Sequence, residues 1–564
     1  MKRHALFIIA IVLVLATLSC GGSTEETPEK VDPITATVAA PGESVTEPPQ
    51  VTQPIVEPTT SPTTAPTIPP TIAPTIPPTA TPTIAPTIAP MGFSRSNPFP
   101  GTEVVSVPNW DVQVLETKRG ADAWTDIQAA NSYNEPAPEG MEYLMVKIHV
   151  KCTYNDSDEH SISGYDFYVT GDKAILYTTG MASVVKPEPE LDATLFSGGE
   201  TEGWSVYLVG QGEGNLILVF DESWSFDEDA KRYIALDPGA SINIPSDLNA
   251  IAASETGMHR SSPIPFNEKL VTEDWEMTIL EVVRGEAAWN LVLEANRYNE
   301  PPADGYEYIA LKLQVRNIGT VDDSSSIDGY SFNITGSSNI LHDLPSIVEP
   351  EPELDIDLYP GGEYEGWVVF QSIIGETNLM LAFQESWTFD DDEVRYLAVD
   401  EGASLEVPTD LINIASTDIG KERNNPASMS EKVTTDNWEI SIVEVIRGDE
   451  AWNMALAANQ YNDPPEDGFE YIAVKAYVHN ISTEDVATNV SDFDFNTTGS
   501  NGVLHDVPSV VDPDPAFNVT LYPDGEYEGW MILQVGAGET EIKIVFDPLF
   551  EFSDESKRFI SLEP

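Results

Sequence analysis

Two histidines stand in matching turns of this chain: His342-Asp343 and His505-Asp506 each lie in Leu-His-Asp-x-Pro-Ser. With Ser346 close by, these are the residue types of a base and a nucleophile. Such a set is defined by geometry and needs donors for an oxyanion, and no strained Gly-x-Ser-x-Gly elbow is present. The matching place earlier in the chain holds Tyr177-Thr178. The preferred reading is a turn in which histidine bonds its neighbour; an accessory hydrolase centred on these turns is the rival.

Carboxylates form a second candidate. Pro187-Glu188-Pro189-Glu190-Leu191-Asp192 is matched by Glu349-Pro350-Glu351-Pro352-Glu353-Leu354-Asp355 and by Asp512-Pro513-Asp514-Pro515. Further acids run from Asp221-Glu222 to Asp227-Glu228-Asp229 and from Asp390 to Glu393. Hard oxygen ligands crowded into loops suit Ca²⁺. Glu188, Glu190, Asp192, Glu351, Glu353 and Asp355 are therefore the candidate metal ligands. Alternating prolines hold such carboxylates apart in an extended chain, and a solvated acidic rim is the plainer reading. No His-Glu-x-x-His, Cys-x-x-Cys or P-loop pattern occurs, so no cofactor is expected beyond that Ca²⁺. Cys152 stands alone at a strand end and reads as an inert thiol.

Two arginine positions recur: Arg119, Arg284 and Arg447, then Arg232, Arg395 and Arg558. In so base-poor a chain they read as structural partners of carboxylates such as Glu307. The 564 residues carry 94 Asp and Glu against 27 Lys and Arg, a net charge of −67. That charge repels nucleic-acid phosphates and anionic lipid headgroups, so neither is an expected partner.

The beginning of the chain gives its location. Lys2 and Arg3 precede an apolar run from Ala5 to Leu18, too short to span a bilayer comfortably. It stops at Thr17-Leu18-Ser19-Cys20-Gly21-Gly22, which resembles a lipobox, with Thr17 where leucine is usual. Residues 1–20 are read as a lipoprotein signal peptide and Cys20 as the acylated residue; an ordinary cleaved signal or an uncleaved anchor are the rivals. The expected location is the extracellular face of the cell membrane, held by lipid. Residues 21–100 hold 19 of the 44 prolines, and no charge occurs between Pro58 and Ser94. Such a chain cannot pack a core and favours polyproline II, so 21–100 reads as a disordered stalk.

The remainder repeats itself. Trp110, Trp275 and Trp438 open matching strands; Trp204, Trp367 and Trp530 recur at the same interval. Three homologous domains follow, at 101–245, 262–408 and 425–564, expected as beads on short linkers. In the second, Trp275 to Val283 alternates as a strand, and Glu286 to Asn296 has helical spacing. Strands follow at Tyr306–Arg316, Tyr330–Ile334, Leu354–Leu358, Tyr364–Gln371, Leu379–Phe383 and Arg395–Val399. The fold class is all-β: three tandem antiparallel sandwiches, each with one short helix after its first strand. The six tryptophans are assigned to the core between the sheets.

The pattern Arg-Gly…Ala-Trp…Asn-x-Tyr-Asn-x-Pro, followed by Gly-Tyr-Glu-Tyr-Ile-Ala and by Tyr359-Pro360-Gly361-Gly362-Glu363-Tyr364-Glu365-Gly366-Trp367, carries a resemblance. It is similar to the telokin-like, immunoglobulin-fold domain of unknown function found in prokaryotic surface lipoproteins. The first copy departs from it with Phe196-Ser197, the third with Asp524. The resemblance implies secretion, a β-sandwich and no known catalysis. The combined expectation is a non-catalytic surface lipoprotein whose modules bind a protein or glycan of the cell surface. A structural envelope spacer, or a Ca²⁺-binding surface protein, is the alternative.

Overall fold

The computed structural model describes residues 89–222, 230–385, 394–549 and 556–563. Cys20, the leader, Trp224, Trp387 and the acids at 227–229 and 390–393 lie outside the described residues.

Strict alternation sets the frame. Trp110–Arg119, Trp275–Arg284 and Trp438–Arg447 are ten-residue strands whose first halves alternate buried and half-buried. Each pairs antiparallel with a twelve-residue strand, Met141–Cys152, Tyr306–Asn317 or Phe469–Asn480. The far edge of that strand takes Glu200–Gly210, Glu363–Ile373 or Glu526–Gly536. In all three sheets the register slips by one residue, after Val114, Ile279 and Ile442. The skipped residues Leu115, Leu280 and Val443 are exposed, because a bulge leaves its extra residue unpaired. A second sheet faces each first one, built for example from Phe167–Thr170, Ile217–Phe220 and Arg232–Ala235. The fold is all-β and mostly antiparallel; Ala427–Ser428 runs parallel beside Arg558–Ser561, as do single bridges such as Phe99 to Ile234. Among the described residues, no helix is long and apolar enough to cross a membrane.

The helices among the described residues, Ala121–Ala130, Glu286–Ala295 and Asp449–Ala458, occupy one place in this frame. Gly120, Gly285 and Gly448 precede them at φ of 58°, 61° and 63°, a left-handed turn that only glycine enters freely. The buried stripe is Ala288 and Val292, with Trp289 half-buried and Leu293 turned to solvent.

The tryptophans divide into two kinds. Trp110, Trp275 and Trp438 are fully buried among core side chains. The indole N–H of Trp110 donates to Glu222 at 2.8 Å. Trp204, Trp367 and Trp530 do not fill the space between sheets as expected. They pack on the opposite sheet face, in small clusters under the helices: Ala123 and Ile127 with Trp204, Ala288 and Val292 with Trp367, Ala451 and Ala455 with Trp530. Strand alternation explains it, since neighbouring residues of one strand face opposite layers.

Residues 85–564 hold together as one unit. For description they divide into first, second and third segments, 89–250, 251–413 and 414–563. The segments are not beads. Ile340 and Leu341 pair with Leu521 and Thr520, so one sheet of six strands runs from the second segment into the third. The first joins the second likewise: Ile175 bridges Leu358, Leu176 N–H donates to Asp357 at 2.9 Å, and Tyr359 N–H to Ala174 at 2.8 Å. An arginine locks each joint. Arg95 bonds Asp322 at 2.7 Å and lies 3.9 Å over the Tyr359 ring. Arg260 bonds Asp485 at 2.6 Å and lies 3.8 Å over Tyr522. Both arginines are wholly buried. The stalk expected to reach residue 100 thus ends sooner: Phe99 bridges Ile234 and Arg95 is interior. The expected linker before 262 likewise contains buried Leu248 and Arg260.

Candidate binding surface

The histidine turns are buried braces. His342 Nε2 meets Glu376 at 2.9 Å, and His505 Nε2 meets Glu539 at 2.8 Å. The partner is therefore a glutamate 34 residues away, not the neighbouring aspartate as expected. In the first segment the Tyr177 hydroxyl donates to Glu213 at 2.6 Å in the same place. Ser346 is exposed, whereas the His342 ring is buried. Of the recurrent arginines, Arg119, Arg284 and Arg447 pair with carboxylates as expected, with Glu142, Glu307 and Glu470. Each also donates to the carbonyl of the buried glutamate, Glu213, Glu376 or Glu539, tying both networks together. Cys152 is a buried free thiol.

The acidic loops lie alongside the strands that carry Trp204, Trp367 and Trp530. Trp367 N–H donates to Pro352, and Leu354 N–H returns to Trp367. Each loop holds a cis peptide bond, at Glu188-Pro189, Glu351-Pro352 and Asp514-Pro515. The candidate ligands Glu188, Glu190, Asp192, Glu351, Glu353 and Asp355 are not gathered round a point. Among the described residues no group of three His, Cys, Asp or Glu side chains is placed to hold a metal ion. Glu190 is instead taken by Lys186 at 2.7 Å.

The positions matching Lys186 are Glu349 and Asp512, and burial pushes both carboxyls up to about 7. Each accepts one backbone N–H, from Val369 or Ile532. A carboxyl raised in the folded state stays protonated after the unfolded chain has ionised. Stability is therefore full below the ordinary value, 4.5 for Glu349 and 3.8 for Asp512, and falls as pH rises towards 7. Glu349→Gln is expected to stabilise the protein by roughly 1–3 kcal/mol at pH 8 and to be nearly neutral at pH 4, as read by urea unfolding at the two pH values.

Beside each loop stands a set of outward-facing apolar groups. Tyr133, Tyr298 and Tyr461 follow the three helices and are 90%, 75% and 82% exposed. The next residue is asparagine in every case, and its amide fixes the loop. Asn134 Nδ2 donates to the carbonyls of Ile127 and Val185, both at 2.8 Å, while its Oδ1 accepts from Val185 N–H. Asn299 and Asn462 repeat the clamp on Val292 and Val348, and on Ala455 and Val511. Val185, Val348 and Val511 are themselves exposed, as are Tyr165, Tyr330 and Phe493 on the neighbouring short turns. Lys186 Nζ lies 5.4 Å over the Tyr165 ring, joining loop to turn. The arrangement presents two rings and a valine on a backbone fastened at both ends. A tyrosine ring is amphipathic and can stack on another flat face with little loss of side-chain freedom; the Tyr298 ring already carries the Arg297 guanidinium 4.7 Å from its centroid. The signal for it was present in the Asn-x-Tyr-Asn-x-Pro pattern: a tyrosine in a proline-ended loop has no helical neighbour to bury it.

Residues 266–394 match a family model described as "Domain of unknown function (DUF4352)". Two solved structures are similar in part. One is the "putative lipoprotein (ycdA)" of Bacillus subtilis subsp. subtilis str. 168: 15% identity, 24% of this chain and 38% of that one, TM-score 0.19. The other is the yjhA protein from Bacillus subtilis: 14% identity, 25% of this chain and 99% of that one, TM-score 0.17. The chain thus spans under two fifths of the first protein's length. No curated protein matches.

Proposed function

We propose that this chain is a non-catalytic surface lipoprotein, anchored through an acylated Cys20 and raised by a Pro/Thr-rich stalk. Its three tandem immunoglobulin-like modules offer one binding surface three times to a protein or glycan of the cell envelope. The observation that carries this reading is the set Tyr133, Tyr298 and Tyr461, each exposed and each clamped by the following asparagine. Exposed aromatics are costly to leave uncovered without a use, and three weak sites in one molecule multiply through effective concentration. Joints stiffened by shared strands keep the three surfaces at fixed spacing, which favours a repetitive partner. The same stiffness favours a second reading, that of an envelope spacer.

The test is retention of the full chain on isolated cell envelopes, against a variant carrying Tyr133→Ser, Tyr298→Ser and Tyr461→Ser. Retention is expected to fall at least tenfold in the triple variant and two- to threefold in each single one. Equal retention of triple variant and parent would remove the binding reading and leave the spacer.

A further inference from the structure

Each joint uses a seat on the back of one segment and an edge on the front of the next. The described residues hold two filled joints and one further seat. In the third segment Val503 and Leu504 match Ile340 and Leu341 of the second and Ile175 and Leu176 of the first. Ile175, Leu176 and Ile340 are at most 9% exposed because the next segment covers them; Val503 and Leu504 are 50% and 55% exposed. Leu504–His505 is also the terminal strand of its sheet. Arg423, which matches the wholly buried Arg95 and Arg260, is exposed.

The first segment holds an edge of the kind that such a seat receives. Among the described residues Asp192–Leu195 pairs only with His160–Ser163 and nothing pairs with its other side, where the matching Asn518–Leu521 is paired on both sides. Phe196 follows it, at the place of Tyr359 and Tyr522, and is 61% exposed.

The two open ends have changed together. Inside each joint two tyrosines meet through their hydroxyls, Tyr233 with Tyr359 at 3.4 Å and Tyr396 with Tyr522 at 2.9 Å. At the open ends both are phenylalanine: Phe559 matches Tyr233 and Tyr396, and Phe196 matches Tyr359 and Tyr522. A phenylalanine against a tyrosine would bury a hydroxyl without a partner; two phenylalanines bury none. Charge also suits: Arg423 and Lys557 stand on the seat, and Asp156 and Asp158 flank the edge, with Ser157 at the place of Asp322. In the filled first joint, Lys231, which matches Lys557, takes Asp323, which matches Asp158, at 2.8 Å.

We infer that the seat on the third segment receives the open edge of the first segment of a second copy, Val503 opposite Leu195 and Arg423 over Phe196. Seat and edge are different surfaces, so the contact is heterologous and copies add head to tail, into a ring or an open chain according to the rotation between them. Strand addition at an edge supplies the backbone bonds, as it does within the chain.

The test is the full chain carrying Val503→Cys and Leu195→Cys, oxidised mildly and run under non-reducing conditions. A ladder of dimers, trimers and higher species is expected, at least tenfold stronger than from either single variant. Adding Leu504→Lys, an exposed position whose change leaves the fold intact, is expected to abolish the ladder. Sedimentation of the parent chain should show mean mass rising with concentration, and Leu504→Lys should lower the association constant at least tenfold. No ladder, an equal ladder from the off-register pair Val503→Cys with Thr194→Cys, or capture of the seat by a different protein alone would overturn the inference.

Discussion

His342→Ala is expected to destabilise the second segment by roughly 3–5 kcal/mol at pH 7, and His342→Tyr to recover most of that loss. The reason is the glutamate behind it. Glu376 is almost fully buried and accepts from the Ser338 backbone N–H at 3.0 Å, from Ser372 at 2.7 Å and from His342 at 2.9 Å. Burial alone would push its carboxyl up, but the hydrogen bond and charge of His342, with the two serines, outweigh that and hold it down at about 2. Alanine leaves the carboxylate buried and short of a donor. Tyrosine restores one, as Tyr177 does for Glu213 in the first segment. A carboxyl depressed from 4.5 to about 2 contributes stability above about pH 4.5 and loses it as pH falls towards 2. The contribution is about 3 kcal/mol at neutral pH. Urea unfolding at pH 7 and pH 3 checks both points: the alanine variant should lose much less at pH 3, where protonation removes the unpaired charge.

The arginine locks give the second large effect. Arg260→Ala removes the ion pair to Asp485, the bond to Asn339 at 2.8 Å and the stack on Tyr522 at once. A loss of roughly 3–5 kcal/mol is expected at the joint, because a buried, paired guanidinium is deleted. Arg260→Lys should recover little, since an ammonium has no plane to lay on the ring. Unfolding followed by tryptophan fluorescence is expected to split from one transition into two. Small-angle scattering should show a longer, looser particle for Arg95→Ala with Arg260→Ala. An unchanged profile in both measurements would show that strand pairing alone carries the joint.

Long elements were legible from local pattern. The strand from Trp275 and the helix from Glu286 end within a residue or two of their expected limits. Alternation and the Arg-Gly turn are local signals, complete within a dozen residues. What the sequence hid depends on distant partners. Leu270–Val271, Ser325–Asp328 and Ile340–His342 are too short to announce themselves, and the last is completed by a strand 180 residues later. The pairing of His342 with Glu376 spans 34 residues and had no nearby cue, whereas Asp343 was adjacent and misleading. The spacing of Trp204, Trp367 and Trp530 marked them as interior without saying which sheet face they occupy. Arg95 and Arg260 carry a weaker signal, a short Gly-x-x-Arg-x-x-Pro repeat overshadowed by the tryptophans.

The shared strands also dictate an order of completion during synthesis. A chain is made from its beginning, so the row at Ile175 and Leu176 emerges long before Asp357 and Tyr359 arrive to cover it. The newest folded part therefore always shows a sticky rim, and that rim is sealed only by the portion that follows. A pause in translation between two such portions would leave the nascent molecule most vulnerable to clumping with its neighbours, and swift, uninterrupted synthesis is what the architecture rewards.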